Sequence, residues 1–427
     1  MRVPSLTLAV SLFTAIASAR FMIYADEWHK TRPTKPEDRA GIDHVILAFA
    51  KANSSIASYQ PYVPVSTIRQ EFPEAKVMVA VGGWNDPGFS DQVVNKDAIK
   101  AFARGVGAMI KNLQIDGVDI DWEYPGGNGA DYKNITNDKR TGEIPAFPEL
   151  LAAIRKEIGE EKILSIAVPG KKGDMIAYTA DNGPKIWPSV NYINIMAYDL
   201  MNRRDTLTNH HTSIAGVREA IQNYINIGAP PEKINLGFAY YAKYFQTDEN
   251  CTGKELGCKI VLAEDPKTGD DLHTSGAWTF EPNNMNPFDP SKIKDSYDGE
   301  CGAANMKRCA GGCCSEAGYC GTTAAYCGGG CQHSFGTGCT GPDVHASWQR
   351  AAVNGKLDGE AGGKYFYDRQ ANLFWTWETS EIIDRKFAEL VGPYGLGVFA
   401  WSLGEDSNDW SHIKKMGEMM KYEGCDE

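Results

Sequence analysis

The chain has 427 residues, of which 42% are hydrophobic and 23% charged, and it carries no low-complexity segment. This composition excludes a disordered, collagenous or polytopic membrane protein. The formal net charge of −12, from 43 basic and 55 acidic side chains, argues against a nucleic-acid partner, because phosphate binding needs clustered cations.

The N-terminal segment (residues 1–19) has the pattern of a secretory signal peptide. Arg2 is its basic residue, Leu6 to Ile16 form the apolar stretch, and Ala17 to Ala19 form the cleavage site. A membrane anchor is the alternative, but the apolar stretch is shorter than the ~20 residues that span a bilayer. We expect a secreted protein, extracellular or associated with a cell wall. Three N-glycosylation sequons agree with this route and lie at Asn53, Asn134 and Asn250.

Strands and helices alternate along most of the chain. Helical spacing recurs between the strands, for example at Ile99, Phe102, Val106 and Ile110. Eight such units favour a (β/α)8 barrel with a parallel sheet, although an open doubly wound sheet would give a similar local pattern. The predicted strands are Phe21–Trp28, His44–Ala50, Lys76–Trp84, Gly117–Tyr124, Lys162–Gly170, Tyr192–Leu200, Ile234–Phe245 and Gly397–Leu403.

The alternation fails between the seventh and eighth strands. Residues 246–364 are rich in Gly, Asn, Asp, Pro and Cys and show no long apolar period, which predicts an insertion on the barrel rim. Residues 20–245 then hold the first seven strands, and residues 365–427 hold the end of the insertion and the eighth strand. Without insertion and signal, about 290 residues remain, close to the ~250 of a typical barrel.

The fourth strand carries three acids that alternate with three apolar residues. Strand side chains alternate between faces, so the acids share the face that looks into the barrel. Carboxyls about 6.6 Å apart in a partly desolvated place cannot all ionise, and a retained proton is what a general acid needs. A solvated acidic strand and a hard-cation site are the alternatives, and we expect neither a metal nor a cofactor. The acids are Asp119, Asp121 and Glu123, and the apolar residues are Val118, Ile120 and Trp122.

Asp116 to Glu123 reads D-G-V-D-I-D-W-E, which resembles the D-G-x-D-x-D-W-E signature of glycoside hydrolase family 18, the chitinases and their relatives. Ala80 to Trp84 resembles the family's S-x-G-G strand, and Met196 to Asp199 resembles its M-x-Y-D strand. Ala400 to Ser402 resembles the eighth strand, whose tryptophan floors the sugar site. The resemblance implies hydrolysis of β-1,4 linkages between N-acetylglucosamine units. It also implies that the insertion between strands seven and eight is an α+β subdomain.

The resemblance also implies a retaining, substrate-assisted mechanism. Glu123 would be the general acid and base, Asp121 would orient the substrate acetamide, Asp119 would be the electrostatic partner of Asp121, and Tyr198 would hydrogen-bond the acetamide carbonyl. The implied substrate contacts are Tyr24, Phe49, Gly83, Trp84, Met196, Asp199, Lys243 and Trp401.

Two residues depart from the family pattern. Ala80 replaces a serine that helps to hold the inner aspartate, which leaves the partner of Asp119 undefined. Lys243 stands where many relatives have an arginine, and a lysine is not equivalent to a planar arginine fork. The pH optimum and the basic contact therefore do not follow from the resemblance.

Eight cysteines fall within residues 301–339, where few aliphatic residues are present, so this segment needs cross-links. Zinc ligation is the alternative, which a secreted chain disfavours. The string C-C-S-x-x-G-x-C-G with a later Tyr-Cys resembles the hevein-type chitin-binding module. It implies sugar contacts at Ser315, Tyr319 and Tyr326, with Ala317 in place of an aromatic residue. The implied disulfides are Cys301–Cys314, Cys309–Cys320, Cys313–Cys327 and Cys331–Cys339.

Three cysteines lie elsewhere. We predict a Cys251–Cys258 disulfide and a free thiol at Cys425. The functional prediction is a secreted, monomeric chitinase that binds chitin and chito-oligosaccharides and neither nucleic acid nor membrane. The alternatives are a catalytically weak or inactive chitin-binding lectin or effector, and an endo-glycosidase acting on N-glycans.

Overall fold

The computed structural model describes residues 20–248 and 250–423. Eight parallel strands close into a barrel in the order β1-β17-β7-β6-β5-β4-β3-β2, which confirms the (β/α)8 prediction over the open sheet. The signal-peptide prediction and Cys425 lie outside the described residues. The strands are β1 Phe21–Asp26, β2 His44–Ala50, β3 Lys76–Gly82, β4 Gly117–Asp121, β5 Ile163–Pro169, β6 Tyr192–Met196, β7 Ile234–Ala239, β8 Tyr241–Gln246, β9 Ser275–Thr279, β10 Lys294–Ser296, β11 Lys307–Cys309, β12 Cys313–Cys314, β13 Cys320–Gly321, β14 Lys356–Asp358, β15 Gly363–Asp368, β16 Leu373–Trp377 and β17 Gly397–Trp401.

Helices cover the outside of the barrel. In the longest of them, the Asn95 side chain accepts hydrogen bonds from two backbone N–H groups of the first turn, as an N-cap does, and Phe102, Val106 and Ile110 are buried on one face. The helices are α1 Val65–Glu71, α2 Phe89–Gln92, α3 Lys96–Leu113, α4 Glu143–Ile158, α5 Gly183–Ile186, α6 Ile214–Asn226, α7 Pro282–Met285, α8 Ala324–Cys327, α9 Val344–Asn354, α10 Ser380–Lys386, α11 Gly392–Tyr394 and α12 Ser411–Glu423.

The two faces of the barrel strands contribute to two different clusters. On β4 and directly after it, Val118, Ile120 and Trp122 belong to the large apolar cluster beneath the helices, where Trp122 stacks on Phe89 at 5.2 Å between ring centres. A second cluster, which includes Met78 of β3, fills the barrel interior. The acids of β4 therefore face the interior, as the alternation predicts.

The predicted seventh strand, Ile234–Phe245, is two strands. The barrel strand β7 ends at Ala239, and β8 begins at Tyr241 in a separate five-stranded sheet of order β14-β15-β16-β8-β9. The prediction was wrong here because apolar and aromatic residues continue through the break, where Tyr240 is fully buried. Lys243 consequently lies on the insertion sheet, whose core contains Phe280, Trp348 and Trp377.

The cysteine-rich segment of the insertion holds four disulfides, and a fifth joins Cys251 to Cys258. The four are Cys301–Cys314, Cys309–Cys320, Cys313–Cys327 and Cys331–Cys339, the pairing that the hevein-type resemblance implies. Phe288 packs on Phe335 of this segment at 4.8 Å and stacks on His345 of α9 at 3.9 Å, which joins the segment to the insertion core. Among the described residues, no helix is long and apolar enough to span a membrane.

Candidate active site

Asp119 lies at the bottom of the candidate site and is fully buried. Its carboxylate accepts hydrogen bonds from Ser165 Oγ at 2.5 Å, Tyr24 OH at 2.8 Å and Asn194 Nδ2 at 3.1 Å. Burial raises the pKa of Asp119 to about 6, although these three donors favour the charged form. The chain of contacts continues through Asn235, which donates to Asn194 Oδ1 at 2.7 Å.

The register of the barrel strands explains how this chain compensates for Ala80. Asp119 is paired with Ala80 of β3 on one side and with Ser165 of β5 on the other. The serine hydroxyl that the family pattern places on the third strand is thus supplied here from the fifth. The sequence offers no direct signal for this exchange, because it depends on which residues of two strands are opposite each other.

Asp121 and Glu123 lie above Asp119 and line the cleft. Burial, Glu123 and Asp119 together hold the pKa of Asp121 well above its ordinary value. Burial raises the pKa of Glu123 to about 7, and the nearby Asp199 and Asp174 contribute to the rise. Within the described residues, the buried Oδ1 of Asp121 has no hydrogen-bond partner. The site therefore contains Glu123, a carboxyl with a pKa near neutral pH. It also contains the buried Oδ1 of Asp121, which is free to accept a hydrogen bond from a substrate.

Tyr198 and Asp199 follow β6 at the cleft wall, and Lys243 of β8 faces them. Asp199 Oδ1 lies 3.3 Å from Lys243 Nζ and accepts a hydrogen bond from Tyr241 OH at 3.0 Å. Burial alone would raise the pKa of Asp199, but Lys243, His211 and Tyr241 hold it below its ordinary value. Asp199 is thus ionised at neutral pH, and Lys243 makes the charge contact that the sequence left undefined.

Aromatic rings line the same cleft as Glu123. Trp401 stacks on Phe49 with 5.5 Å between ring centres and an interplanar angle of 19°. Trp84 lies 6.2 Å from Tyr124, the residue that follows Glu123. Such flat apolar surfaces suit the C–H faces of pyranose rings.

The cleft has a volume of about 500 Å³ and brings together most of the predicted contacts. Tyr24 differs: it is 2% exposed, lies beneath the cleft and hydrogen-bonds Asp119, so it supports the acid and does not line the cleft. Gly83, at φ +87°, allows the Phe49 ring to approach, since a Cβ there would lie 2.9 Å from it. The predicted residues that line the cleft are Phe49, Gly83, Trp84, Asp121, Glu123, Met196, Tyr198, Asp199, Lys243 and Trp401.

Sequence reasoning missed a charged group beneath Trp401. The indole N–H of Trp401 donates to Glu405 Oε1 at 3.1 Å, and His29 Nδ1 lies 3.4 Å from the same oxygen and 3.1 Å from Asp26. Burial raises the pKa of Glu405 to about 8. Burial alone would lower the pKa of His29, but Asp26 and Glu405 raise it to about 9. A charged imidazolium therefore holds the acid that fixes the tryptophan.

In the predicted hevein-type module, Tyr319 is 54% exposed and Tyr326 is half-buried. Ser315 is buried, and its Oγ accepts a hydrogen bond from the Tyr319 N–H at 3.1 Å. The cysteine-rich segment thus presents Tyr319 as an exposed aromatic side chain and Tyr326 as a partly exposed one.

A barrel with a protonatable acid at its mouth, buried acids below it and aromatic surfaces in the same cleft defines the class of glycoside hydrolases. The model of the glycosyl hydrolases family 18 matches residues 20–406, so the chain belongs to that family.

Relatives and solved structures agree with this assignment. The chain is 26% identical over 257 residues to chitotriosidase-1 of Mus musculus, and the aligned region covers 54% of each chain. It is 27% identical over 300 residues to an endochitinase of Manduca sexta, covering 61% of this chain and 52% of the relative. The chain thus spans about half the length of the curated relatives it matches. A chitinase structure from Rhizomucor miehei has the same fold, with a TM-score of 0.65, 18% identity and coverage of 94% of this chain and 99% of that one.

Proposed function

We propose that the protein is a chitinase that hydrolyses β-1,4 linkages between N-acetylglucosamine units with retention of configuration. The observation that carries the proposal is the pair Asp121 and Glu123. One is a buried carboxyl with an unpartnered oxygen, and the other is an acid whose pKa burial raises to about 7. Membership of glycosyl hydrolases family 18 and the chitinase relatives support the substrate class.

In the proposed mechanism, Glu123 protonates the glycosidic oxygen and later takes a proton from the incoming water. The substrate's own acetamide oxygen attacks the anomeric carbon, and the free Oδ1 of Asp121 accepts the acetamide N–H. Asp119 cannot act as a second nucleophile because it is fully buried below Asp121. Its negative charge instead favours the positive charge that develops on the acetamide-derived ring. Tyr198, on the cleft wall, donates to the acetamide oxygen.

Hydrolysis of N-acetylchitohexaose by the wild type and by Glu123→Gln tests this proposal. We expect shorter oligomers from the wild type and a rate about 10²–10⁴-fold lower from the variant, which is the contribution of a positioned general acid. Binding of the hexamer by the variant, measured calorimetrically, controls for folding. If the wild type binds the hexamer as the variant does and releases no product, the protein is a chitin-binding lectin and the enzyme proposal is wrong.

We further propose that residues 301–339 bind chitin and that the protein is secreted. The exposed Tyr319 is the main stacking surface of the module. Tyr319→Ala should weaken retention on chitin beads, whereas Tyr297→Ala, at a tyrosine that is 93% exposed and outside the module, should not. Equal retention of all three proteins would contradict the module's role.

Recovery of the protein from culture medium, with its N-terminus near residue 20, tests secretion. The sequon asparagines Asn53, Asn134 and Asn250 are all exposed, so they are accessible to glycosylation. Retention of the full-length chain inside the cell would contradict the secretory route.

A further inference from the structure

Three loops meet at a buried acid beside the cleft. Glu264 of the insertion is 7% exposed. It accepts a hydrogen bond from Tyr132 OH, in the loop after β4. Its Oε2 accepts a second bond from Arg203 Nε at 2.9 Å and lies 3.5 Å from Arg204 Nε, both in the loop after β6. We call Tyr132, Arg203, Arg204 and Glu264 the Glu264 cluster.

Within the Glu264 cluster, Arg204 is held on several sides. Its guanidinium carbon lies 4.0 Å from the centre of the Tyr132 ring and 5.3 Å from that of Trp84. Nη1 donates to the Asn128 carbonyl at 2.8 Å, and Nη2 donates to the Gly129 carbonyl at 3.0 Å. The guanidinium is therefore fixed in place before any ligand arrives, so little side-chain entropy is lost when it binds one.

Arg204 still has donors to offer. A guanidinium carries five N–H groups, and these contacts use one on each of the three nitrogens, which leaves one on Nη1 and one on Nη2. The side chain is 20% exposed and lines the cleft. A planar cation with two spare donors next to a flat indole is suited to the oxygens of a sugar stacked on that indole.

The position of Arg204 identifies which sugar it would meet. Under the proposed function, the reacting sugar lies on Trp401, and Glu123 protonates the bond on its far side. Trp84 lies against Tyr124, the residue after Glu123, and is separate from the stacked pair Trp401 and Phe49. It therefore offers a second sugar platform, where the departing sugar would meet Arg204. We propose that Arg204 binds the departing sugar through its two spare N–H groups, with Glu264 and Tyr132 as positioning residues. This inference rests on the proposed function.

A purely structural role for Arg204 makes a different prediction. If the arginine only joins three loops, its replacement disturbs the cleft for every substrate alike. If it binds the departing sugar, its replacement affects only substrates whose leaving group carries sugar oxygens. An aryl β-chitobioside has the same reacting sugar but an aromatic alcohol as leaving group, so it separates the two roles.

The experiment compares kcat/KM on N-acetylchitotetraose and on 4-methylumbelliferyl β-chitobioside for the wild type, Arg204→Lys and Glu264→Gln. Arg104→Lys, at an exposed arginine of α3, is the matched control. We expect Arg204→Lys to lower the tetraose value about tenfold or more, as loss of a charged hydrogen bond does. The aryl glycoside should change less than about threefold, and Glu264→Gln should act in the same direction.

An equal loss on both substrates, or no loss on the tetraose, would overturn this inference while leaving the proposed function intact. Unfolding temperatures of all variants are recorded so that a folding defect in Arg204→Lys is seen directly. Glu264→Gln keeps the shape of the side chain and provides an independent test if Arg204→Lys is unstable. A wild type that cleaves neither substrate would instead overturn the proposed function itself.

Discussion

Ser165→Ala tests the interior hydrogen-bond arrangement that supports the acids. Ser165 Oγ donates to Asp119 at 2.5 Å. A hydrogen bond to a charged group contributes about 1.5–3 kcal/mol and one to a neutral group about 0.5–1.5 kcal/mol. The substitution therefore destabilises the ionised carboxylate more than the neutral acid, by about 1.4 kcal/mol, which is about one pKa unit. The folded-state pKa of Asp119, about 6 in the wild type, should rise by that amount.

This rise makes the loss of stability pH-dependent. Burial already raises the pKa of Asp119 above its ordinary value, so the unfolded chain loses this proton at lower pH than the folded one. Stability therefore falls as the pH rises towards 6, because the unfolded chain has released this proton while the folded protein still keeps it. In Ser165→Ala, the pKa of Asp119 is higher, so the loss of stability with rising pH continues above pH 6. Relative to the wild type, Ser165→Ala should lose about 0.5–1.5 kcal/mol at pH 5, where Asp119 is mostly protonated, and about 1.4 kcal/mol more than that at pH 8.

Urea denaturation of the wild type and Ser165→Ala at pH 5 and pH 8 measures this difference. The double variant Ala80→Ser with Ser165→Ala is the matched control. Ala80 is the other strand neighbour of Asp119, so the hydroxyl introduced by Ala80→Ser can replace the lost donor. We expect the double variant to recover part of the stability at pH 8. An equal loss at both pH values would refute the argument that the serine acts through the charge of Asp119.

Two further predictions concern charges around the barrel. The negative charge of Asp174 contributes to the raised pKa of Glu123. Asp174→Asn should therefore move the alkaline limb of the pH profile of kcat/KM to lower pH, by about half a unit. A limb that stays in place or moves to higher pH would contradict this. Lys386 and Glu378 form a fully buried ion pair, so Lys386→Met should destabilise the protein by about 3–5 kcal/mol in thermal or urea unfolding, because it leaves a buried charge unpaired. Unchanged unfolding would show that the pair contributes nothing.

The local sequence pattern was sufficient to predict the barrel and the face of the fourth strand on which its acids lie. The alternation of Val118, Ile120 and Trp122 with three acids determines which side chains face the interior, because strand side chains alternate strictly. The structure shows the three apolar residues beneath the helices. Repeated strand and helix spacing similarly predicted eight barrel strands, with ends that differ by a few residues.

Contacts between distant segments could not be predicted. Ser165 replaces the missing hydroxyl of the third strand because of its register with Asp119, and register is a property of the closed sheet. The break between β7 and β8 is hidden by a continuous apolar sequence around Tyr240. The Glu264 cluster joins residues more than 50 positions apart, so no local motif announces it.

The configuration of the first product tests the central claim most directly. Proton NMR of N-acetylchitotetraose during the first minutes of hydrolysis distinguishes the two anomers before they equilibrate. If Glu123 acts with the substrate's own acetamide above a buried Asp119, the new reducing end appears first as the β-anomer, because two inversions restore the original configuration. An α-anomer appearing first, or hydrolysis that continues at the wild-type rate in Glu123→Gln, would contradict the account.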